Sequence, residues 1–510
     1  MKFKDIDFGK VDAKNEFDAN NKSEERKFEQ AYILPDNVNI DTLINGGKSY
    51  VYGMKGTGKT ALLKYLEIMI KKKKNSRTDF ILFKTRFGEE ERKTFNYQAT
   101  TVVDKDQITD SGEIKDYEIV WRWFFYNYII DYIRKSGEKI LEFDSNWYSF
   151  YNTVMSARNE DEVGIKKYFP KIKKGNIKIN IEIIKADAEW HNNSQEIKFS
   201  ELIAKADKAF DNIKFIYNER LYILLDELEL DYSNRNVYER DVRLIRDLII
   251  FTDKFNHKCI TREIPIKIIT SVRMEVLTAI QSVGKEINKI IEDNGVQISW
   301  HQSGGNEKKH PLIHMIIRRF MIAEGLNDND DNERIIRNKY FGEEKINDMT
   351  IERYILNSSW YRLRDIVRLL NLIKDDFPNN EKLTQQVFDG IRKTYSSKCW
   401  TECMEEMKAH YNNDDINFIR TIFNGWKRLF SLNDFSERIR LLSNYDKRAE
   451  NFEQKQLIPL MELLYRVGII GNRYKVNNEW RYRYAFRGDE QLLPYENMTV
   501  HYALAPFFSL

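Results

Sequence analysis

The sequence predicts an α/β protein: a parallel sheet with flanking helices, then a helical region, then a C-terminal winged helix. Three observations predict it. A glycine-rich loop near residue 53 joins a short apolar strand to a helix, and an apolar strand near residue 221 ends in two acids. From about residue 311 the apolar spacing is helical, until an aromatic and basic hairpin appears near residue 480.

Composition sets the outer limits. The chain has 510 residues, and roughly 150 residues per domain suggests about three domains. Apolar residues are 42% and aromatic residues 13%, which excludes disorder as the main state. Lys plus Arg is 82 and Asp plus Glu is 79, so the net charge of +3 excludes a bulk polyanion binder. Nucleic-acid contact would need a local patch. With only 8 prolines and 22 glycines, long helices are favoured. Three cysteines (Cys259, Cys399, Cys403) make neither a disulfide framework nor a four-ligand zinc site. The N-terminus, MKFKDIDFGKVDAKNEF, lacks the apolar core of a secretion signal. The most apolar helical segment, Val120 to Ile133, is interrupted by Arg122, Asn127 and Asp131, so no membrane span is expected. A cytoplasmic, reducing location is the expectation.

The first element is a strand over 48–52, followed by GMKGTGKT from Gly53 to Thr60 and a helix that begins with Ala61. This is the G-x-x-x-x-G-K-[ST] pattern between strand and helix. Gly53, Gly56 and Gly58 let the backbone of Met54, Lys55 and Thr57 curl, so that its N–H groups point inward at an anion. The helix N-terminus adds partial positive charge. Lys59 reaches the β- and γ-phosphates of a nucleotide, and Thr60 holds Mg2+. The loop is expected to be a phosphate-binding P-loop.

A short strand is expected over 80–84, then an aromatic-rich amphipathic helix over 118–136. Residues 171–185 alternate around a Gly-Asn turn, which predicts a β-hairpin with one lysine face. The strand LYILLDE over 221–227 supplies the second half of the phosphate site. Asp226 is expected at Mg2+, and Glu227 as general base for the attacking water. A third strand, 266–270, leads to Ser271 and Arg273. In P-loop ATPases a strand between the glycine-loop strand and the acid strand often ends in a polar residue that senses the γ-phosphate; Ser271 and Arg273 are the candidates, with a helix-capping serine and a surface arginine as the even alternative. No N-K-x-D sequence follows, which favours ATP over a guanine nucleotide.

The helix PLIHMIIRRFMIAEG follows, with His310 and His314 on a helix face and no metalloprotease glutamate between them. A polar stretch over 325–350 is expected as a loop with a short helix. The next helix carries Arg362 and Arg364 in its first turns, where in many ATPases a helical lid delivers an arginine to the nucleotide; Arg364 is favoured, with an Arg–Asp surface pair to Asp365 or Asp375 as the alternative. A helix over 455–467 precedes two strands joined at Asn477-Asn478. Trp480, Tyr482, Tyr484 and Phe486 are expected on one face of the second strand, and Arg481, Arg483 and Arg487 on the other, as a basic wing that packs on the lid as a protein–protein module or contacts DNA phosphates. No second catalytic cluster is evident, so an effector activity would belong to a partner.

Taken in order, FGKVDAKNEF, YVYGMKGTGKTALLKYL, YILLDELEL, IKIITSVRMEVL, ISWHQ, ERYILNSSWYRLRDIVRLL, LYRVGIIGN and the terminal VHYALAPFFSL resemble bacterial P-loop ATPases of the STAND and KAP-related kind, within the AAA+-like (ASCE) group. The resemblance implies an ATPase core over 1–300, a helical lid over 301–450 and a winged helix over 451–510. It implies Mg-dependent ATP hydrolysis, a role in phage-defence loci with a protein partner, and room for a homo-oligomer. In that case a neighbouring subunit would supply an arginine, with Arg262, Arg318 and Arg319 as candidates. The lid motif departs from the family's R-P-R-D, reading Arg362-Leu363-Arg364-Asp365. The alternative is an ATP-dependent DNA-binding protein of the loading, transposition or repair type.

Overall fold

The computed structural model describes all residues except 19–20, 74, 102–115, 137–139, 174–175, 181–195, 217–218, 233, 282, 284–285, 303–304, 455 and 490. The chain divides into two compact units. One comprises Met1–Asn39, Gly53–Tyr65 and Gln297–Leu510; the other comprises Ile40–Tyr52 and Leu66–Val296.

The second unit is built on a five-stranded sheet. Its strands are β1 (Tyr50–Gly53), β2 (Ser76–Leu82), β3 (Arg220–Leu228), β4 (Ile266–Arg273) and β5 (Gly295–Gln297), in the order β2-β3-β4-β1-β5. β2 runs parallel to β3, with Leu82 opposite Asp226, and β3 runs parallel to β4. Leu221 to Asp226 are all buried, as a parallel strand covered on both faces requires. β4 lies between the acid strand and the glycine-loop strand. β2, β3 and β4 are thus parallel, the arrangement expected of a P-loop NTPase core.

Helix α1 (Lys59–Lys72) leaves the glycine loop, and α2 (Tyr117–Ser136) and α3 (Arg235–Thr261) belong to the second unit. α2 differs from its expected amphipathic form. From Val120 to Ile130 only Arg122 is part-exposed. Trp121, Phe124 and Phe125 meet Phe83, Phe87, Phe95 and Phe251, with ring centroids 5.0 to 6.1 Å apart in the contacts Phe83–Trp121, Phe87–Trp121, Phe87–Phe124, Phe95–Phe124 and Phe125–Phe251. The polar groups that such burial would strand are paired: Arg122 with Asp207, Tyr126 with Asp207, and Tyr128 with Asp79. The expected strand at 80–84 starts earlier, at Ser76, and turns into a short helix at Phe83.

The predicted hairpin appears as strands Ile172–Lys173 and Asn176–Lys178. Glu196–Lys198 adds a third antiparallel strand that the alternation did not suggest. The remainder of the expected hairpin, from 181, lies outside the described residues.

The first unit carries the segments expected as a helical lid and a winged helix. α4 (Pro311–Glu324) starts at His310, whose Nδ1 accepts from the Leu312 N–H, with Pro311 at the first helical position. His310 is thus a buried cap rather than a helix-face residue, and His314 pairs with Glu333 at 2.9 Å. α5 (Leu363–Asp376) buries Ile366, Val367, Leu369, Leu370, Leu372 and Ile373 at helical spacing. α6 (Gln385–Met407) begins at Thr384, whose hydroxyl accepts from the Val387 N–H. α7 (Leu457–Val467) precedes the wing.

The C-terminal sheet contains β6 (Leu429–Phe430), β7 (Ile470–Val476), β8 (Glu479–Arg483) and β9 (Asn497–Val500), in the order β6-β9-β7-β8. Asn477 and Asn478 join β7 to β8 with φ of 49° and 67°, the left-handed pair that a tight hairpin turn demands. β8 ends at Arg483, so Tyr484 and Phe486 leave the expected strand face. Phe486 sits in a 3-10 turn, Ala485–Arg487. Among the described residues, no helix is long and apolar enough to cross a membrane.

Candidate functional site

The glycine loop belongs to the first unit. Gly56 and Gly58 have φ of +83° and +95°, where a side chain would be strained. A Cβ on Gly58 would also come 3.3 Å from Leu363 Cδ2. These two torsions curl the chain between Gly53 and the start of α1. The Thr57 hydroxyl donates to Met54 O at 2.9 Å, and the Trp300 indole N–H donates to Thr57 O at 2.7 Å, fixing the curl from within and without. The Lys59 ammonium donates to Gly53 O at 2.9 Å and Met54 O at 2.8 Å, so it lies inside the loop it is expected to serve. Ala61 is buried and Thr60 part-exposed, one residue into the first turn of α1.

The start of α5 meets this loop. The Arg364 N–H donates to Gly56 O at 3.2 Å. A residue that the sequence did not single out, Glu402 on α6, gathers the cations here. Its carboxylate lies 3.0 Å from Lys55 Nζ, 3.6 Å from Arg364 Nη1 and 2.7 Å from Arg368 Nη2. Burial opposes ionisation of Glu402, but the Lys55 ammonium and the Arg368 and Arg364 guanidiniums outweigh it and hold the carboxyl down at about 2. Arg362 is buried, lies 3.7 Å from Glu406 and faces the Trp360 ring. A lone glutamate in mid-helix carries no motif; only the packing of α6 against α5 reveals it.

The acid strand belongs to the second unit. Asp226 is 3% exposed and accepts a hydrogen bond from the Ser271 hydroxyl through Oδ1. Its other oxygen, Oδ2, is buried without a hydrogen-bond partner. A buried carboxylate oxygen in that condition suits a hydrated divalent cation, so the donor set fits Mg2+. Ser271 lies within β4, which runs to Arg273, and is therefore not a helix cap. Arg273 pairs with Glu229, which also holds Lys84 at 2.8 Å.

Glu227 has φ of +60°, an uncommon conformation for a residue with a Cβ. The register explains it. Leu225 pairs with Thr270 and Leu228 with Val272, so β3 carries one residue more than β4 across this step. The bulge re-aims the acid pair at the end of the strand. Glu227 Oε2 accepts a long 3.5 Å contact from the Thr85 hydroxyl. Strained backbone of this kind clusters at functional positions. The sequence does not announce the bulge, because it depends on the partner strand.

The remaining candidates are engaged within the chain. Arg262 lies 3.6 Å from Asp211, Arg318 is 2.6 Å from Asp328, and Arg319 pairs with Glu16. In the wing, Arg481 is 3.0 Å from Glu479, Arg483 is 3.4 Å from Asp489, and Arg487 lies over the Tyr361, Tyr484 and Phe486 rings. Among the described residues, no group of three or more His, Cys, Asp or Glu side chains is arranged to hold a metal ion. All three cysteines are free and buried.

No protein-family model matches the chain. No curated protein matches it. Among solved structures it is similar to the Orc1 protein of Aeropyrum pernix in complex with DNA, at 10% identity and a TM-score of 0.33, covering 98% of this chain and 96% of that one. It is also similar to Cdc6p from Pyrobaculum aerophilum, at 10% identity and a TM-score of 0.29, covering 95% and 91%. The Drosophila ORC bound to DNA matches at 10% identity and a TM-score of 0.25, covering 90% and 89%. At such identities and scores, no residue role and no activity passes from these proteins to this chain.

Proposed function

We propose that the chain is a Mg2+-dependent ATPase that works as a molecular switch. The observation that carries this is the glycine loop: Gly56 and Gly58 at positive φ between a sheet strand and a helix, with Lys59 inside the curl. In this proposal the backbone from Gly53 to Gly58 and the Lys59 ammonium bind the phosphates, and Thr60 and Asp226 hold Mg2+. The metal supplies charge neutralisation on the phosphate oxygens. Glu227 takes the proton of the attacking water as general base. Ser271 holds Asp226 in orientation and reports on the γ-phosphate, and Arg364 approaches the nucleotide from the lid. Arg273, tied to Glu229, is the weaker sensor of the two. The sequence resemblance extends the proposal to the ATPase component of a phage-defence system acting with a protein partner.

Calorimetric titration with Mg·ATP tests the core of it. Wild type is expected to bind, and Lys59→Ala to lose roughly 100-fold in affinity, the size of a lost charge-assisted contact. Equal affinities in the two would overturn it.

A specific observation favours a second reading, in which the winged helix binds DNA. The β7–β8 register places Lys475 opposite Trp480 and Arg473 opposite Tyr482, so these four share one face. The Arg473 guanidinium lies 3.9 Å from the Trp480 ring centroid, and Trp480 and Tyr482 are 45% and 44% exposed. Among the described residues, no carboxylate pairs with Arg473 or Lys475. This face, rather than the ion-paired Arg481 and Arg483, is the one suited to phosphates and bases. Binding of duplex and single-stranded DNA across a salt series tests it; affinity that holds steady as salt rises would count against it.

A further inference from the structure

The contacts of Glu402 have a consequence for which nucleotide the site accepts. Two cations at the glycine loop, Lys55 from the loop itself and Arg364 from the start of α5, converge on one carboxylate oxygen at 3.0 and 3.6 Å. The other oxygen is held by Arg368 at 2.7 Å, and Arg368 is in turn paired with Asp365. Glu402 is therefore fixed from behind by a buried guanidinium while its free edge takes up the cations of the loop. Its side chain is 29% exposed, enough for a solute to reach the cluster. The Arg364 N–H to Gly56 O hydrogen bond anchors the backbone of the arginine against the loop.

We propose that Glu402 is a specificity-determining residue: an internal anion that competes with the terminal phosphate of a nucleoside triphosphate for Arg364 and Lys55. It rests on the ATP reading of the glycine loop. A carboxylate and a phosphate oxygen make the same charge-assisted contacts with a guanidinium and an ammonium. A triphosphate reaches both cations and must displace the carboxylate; a diphosphate, shorter by one phosphoryl group, leaves the Arg364–Glu402 pair in place. Displacement frees α6 from the loop, so arrival of the third phosphate is transmitted to the lid. The cost of displacement falls on triphosphate binding alone, which narrows the advantage of triphosphate over diphosphate at the site.

Affinities for Mg2+ with a non-hydrolysable ATP analogue and for Mg2+ with ADP test this, in wild type, Glu402→Gln, Arg364→Ala and the double variant. Glu402→Gln keeps the shape and removes the charge. It is expected to tighten the ATP analogue on the order of tenfold and to leave ADP within about twofold. In the Arg364→Ala background the gain is expected to shrink, since only Lys55 is left for Glu402 to release. Where thermal melts show Glu402→Gln to be poorly folded, Glu402→Asp keeps the charge, shortens the reach and is expected to give a smaller gain of the same sign. Unchanged or weaker analogue binding in a folded variant would overturn the proposal, as would equal tightening of ATP analogue and ADP. If wild type binds neither nucleotide, the ATP reading falls and this with it; if wild type binds both and Glu402→Gln changes neither, this proposal falls alone.

Discussion

The glycine loop and the acid strand reach readiness by opposite means. The loop is made of backbone and cations, and its cations are already occupied: Lys55 and Arg364 by Glu402, and Lys59 by the loop's own carbonyls. The acid strand is made of anions and strained backbone, and it holds one acceptor in reserve, since Asp226 Oδ2 is buried without a partner. Cations on long side chains can exchange partners at small cost, so a site for a polyanion can be stored in a satisfied state. A carboxylate at the end of a buried strand cannot move, so a cation it is proposed to hold would have to find its acceptor already in place.

The largest effect expected from this contrast is at Asp226. Asp226→Asn keeps the shape but removes the charge, and turnover is expected to fall by at least about a hundredfold, with Mg2+ no longer strengthening nucleotide binding. Binding with Mg2+ omitted is the control; if the variant retains its Mg2+ dependence, the orphan oxygen is not the metal position.

Next in size is the loop backbone. Gly58→Ala forces a Cβ into a φ of +95° and against Leu363. A loss of roughly 1–3 kcal/mol in stability is expected, together with weaker nucleotide binding. A folded, fully binding variant would mean that the curl is not what holds phosphate.

The smallest effect is acid stability. Glu402 has its carboxyl lowered from 4.5 to about 2 in the folded chain, so its ionised form stabilises the fold. A depressed value contributes stability above the unfolded value and loses it as pH falls through the folded value. Wild type is therefore expected to lose melting temperature between about pH 4.5 and pH 2, and Glu402→Gln to lose less over that window. Parallel curves for the two proteins would contradict the ion cluster at the loop.

How much of this the sequence disclosed follows from how local each cause is. The glycine loop is legible because Gly56, Gly58, Lys59 and Thr60 act through a contiguous stretch of backbone. The acid strand is legible because six buried apolar and acidic positions follow one another, and the apolar run at 266–270 marks β4 as a strand, while its place beside β1 follows only from the P-loop ATPase pattern. Glu402 is not legible, since its partners Lys55, Arg364 and Arg368 are brought to it by helix packing. The bulge at Glu227 is set by β4, and α2 is buried all round because Asp79 and Asp207 satisfy its tyrosines. In the wing, the alternation along β8 says nothing of its partner strand. The partner strand β7 supplies Arg473 and Lys475, which move the basic, aromatic face to the side opposite Arg481.

The central claim is ATP hydrolysis with Glu227 as general base, and ATP turnover by wild type and Glu227→Gln tests it most directly. The account predicts measurable phosphate release by wild type, and a loss of roughly 100-fold or more in Glu227→Gln with ATP binding intact. Equal turnover in the two proteins, or none in either at saturating Mg·ATP, would contradict it.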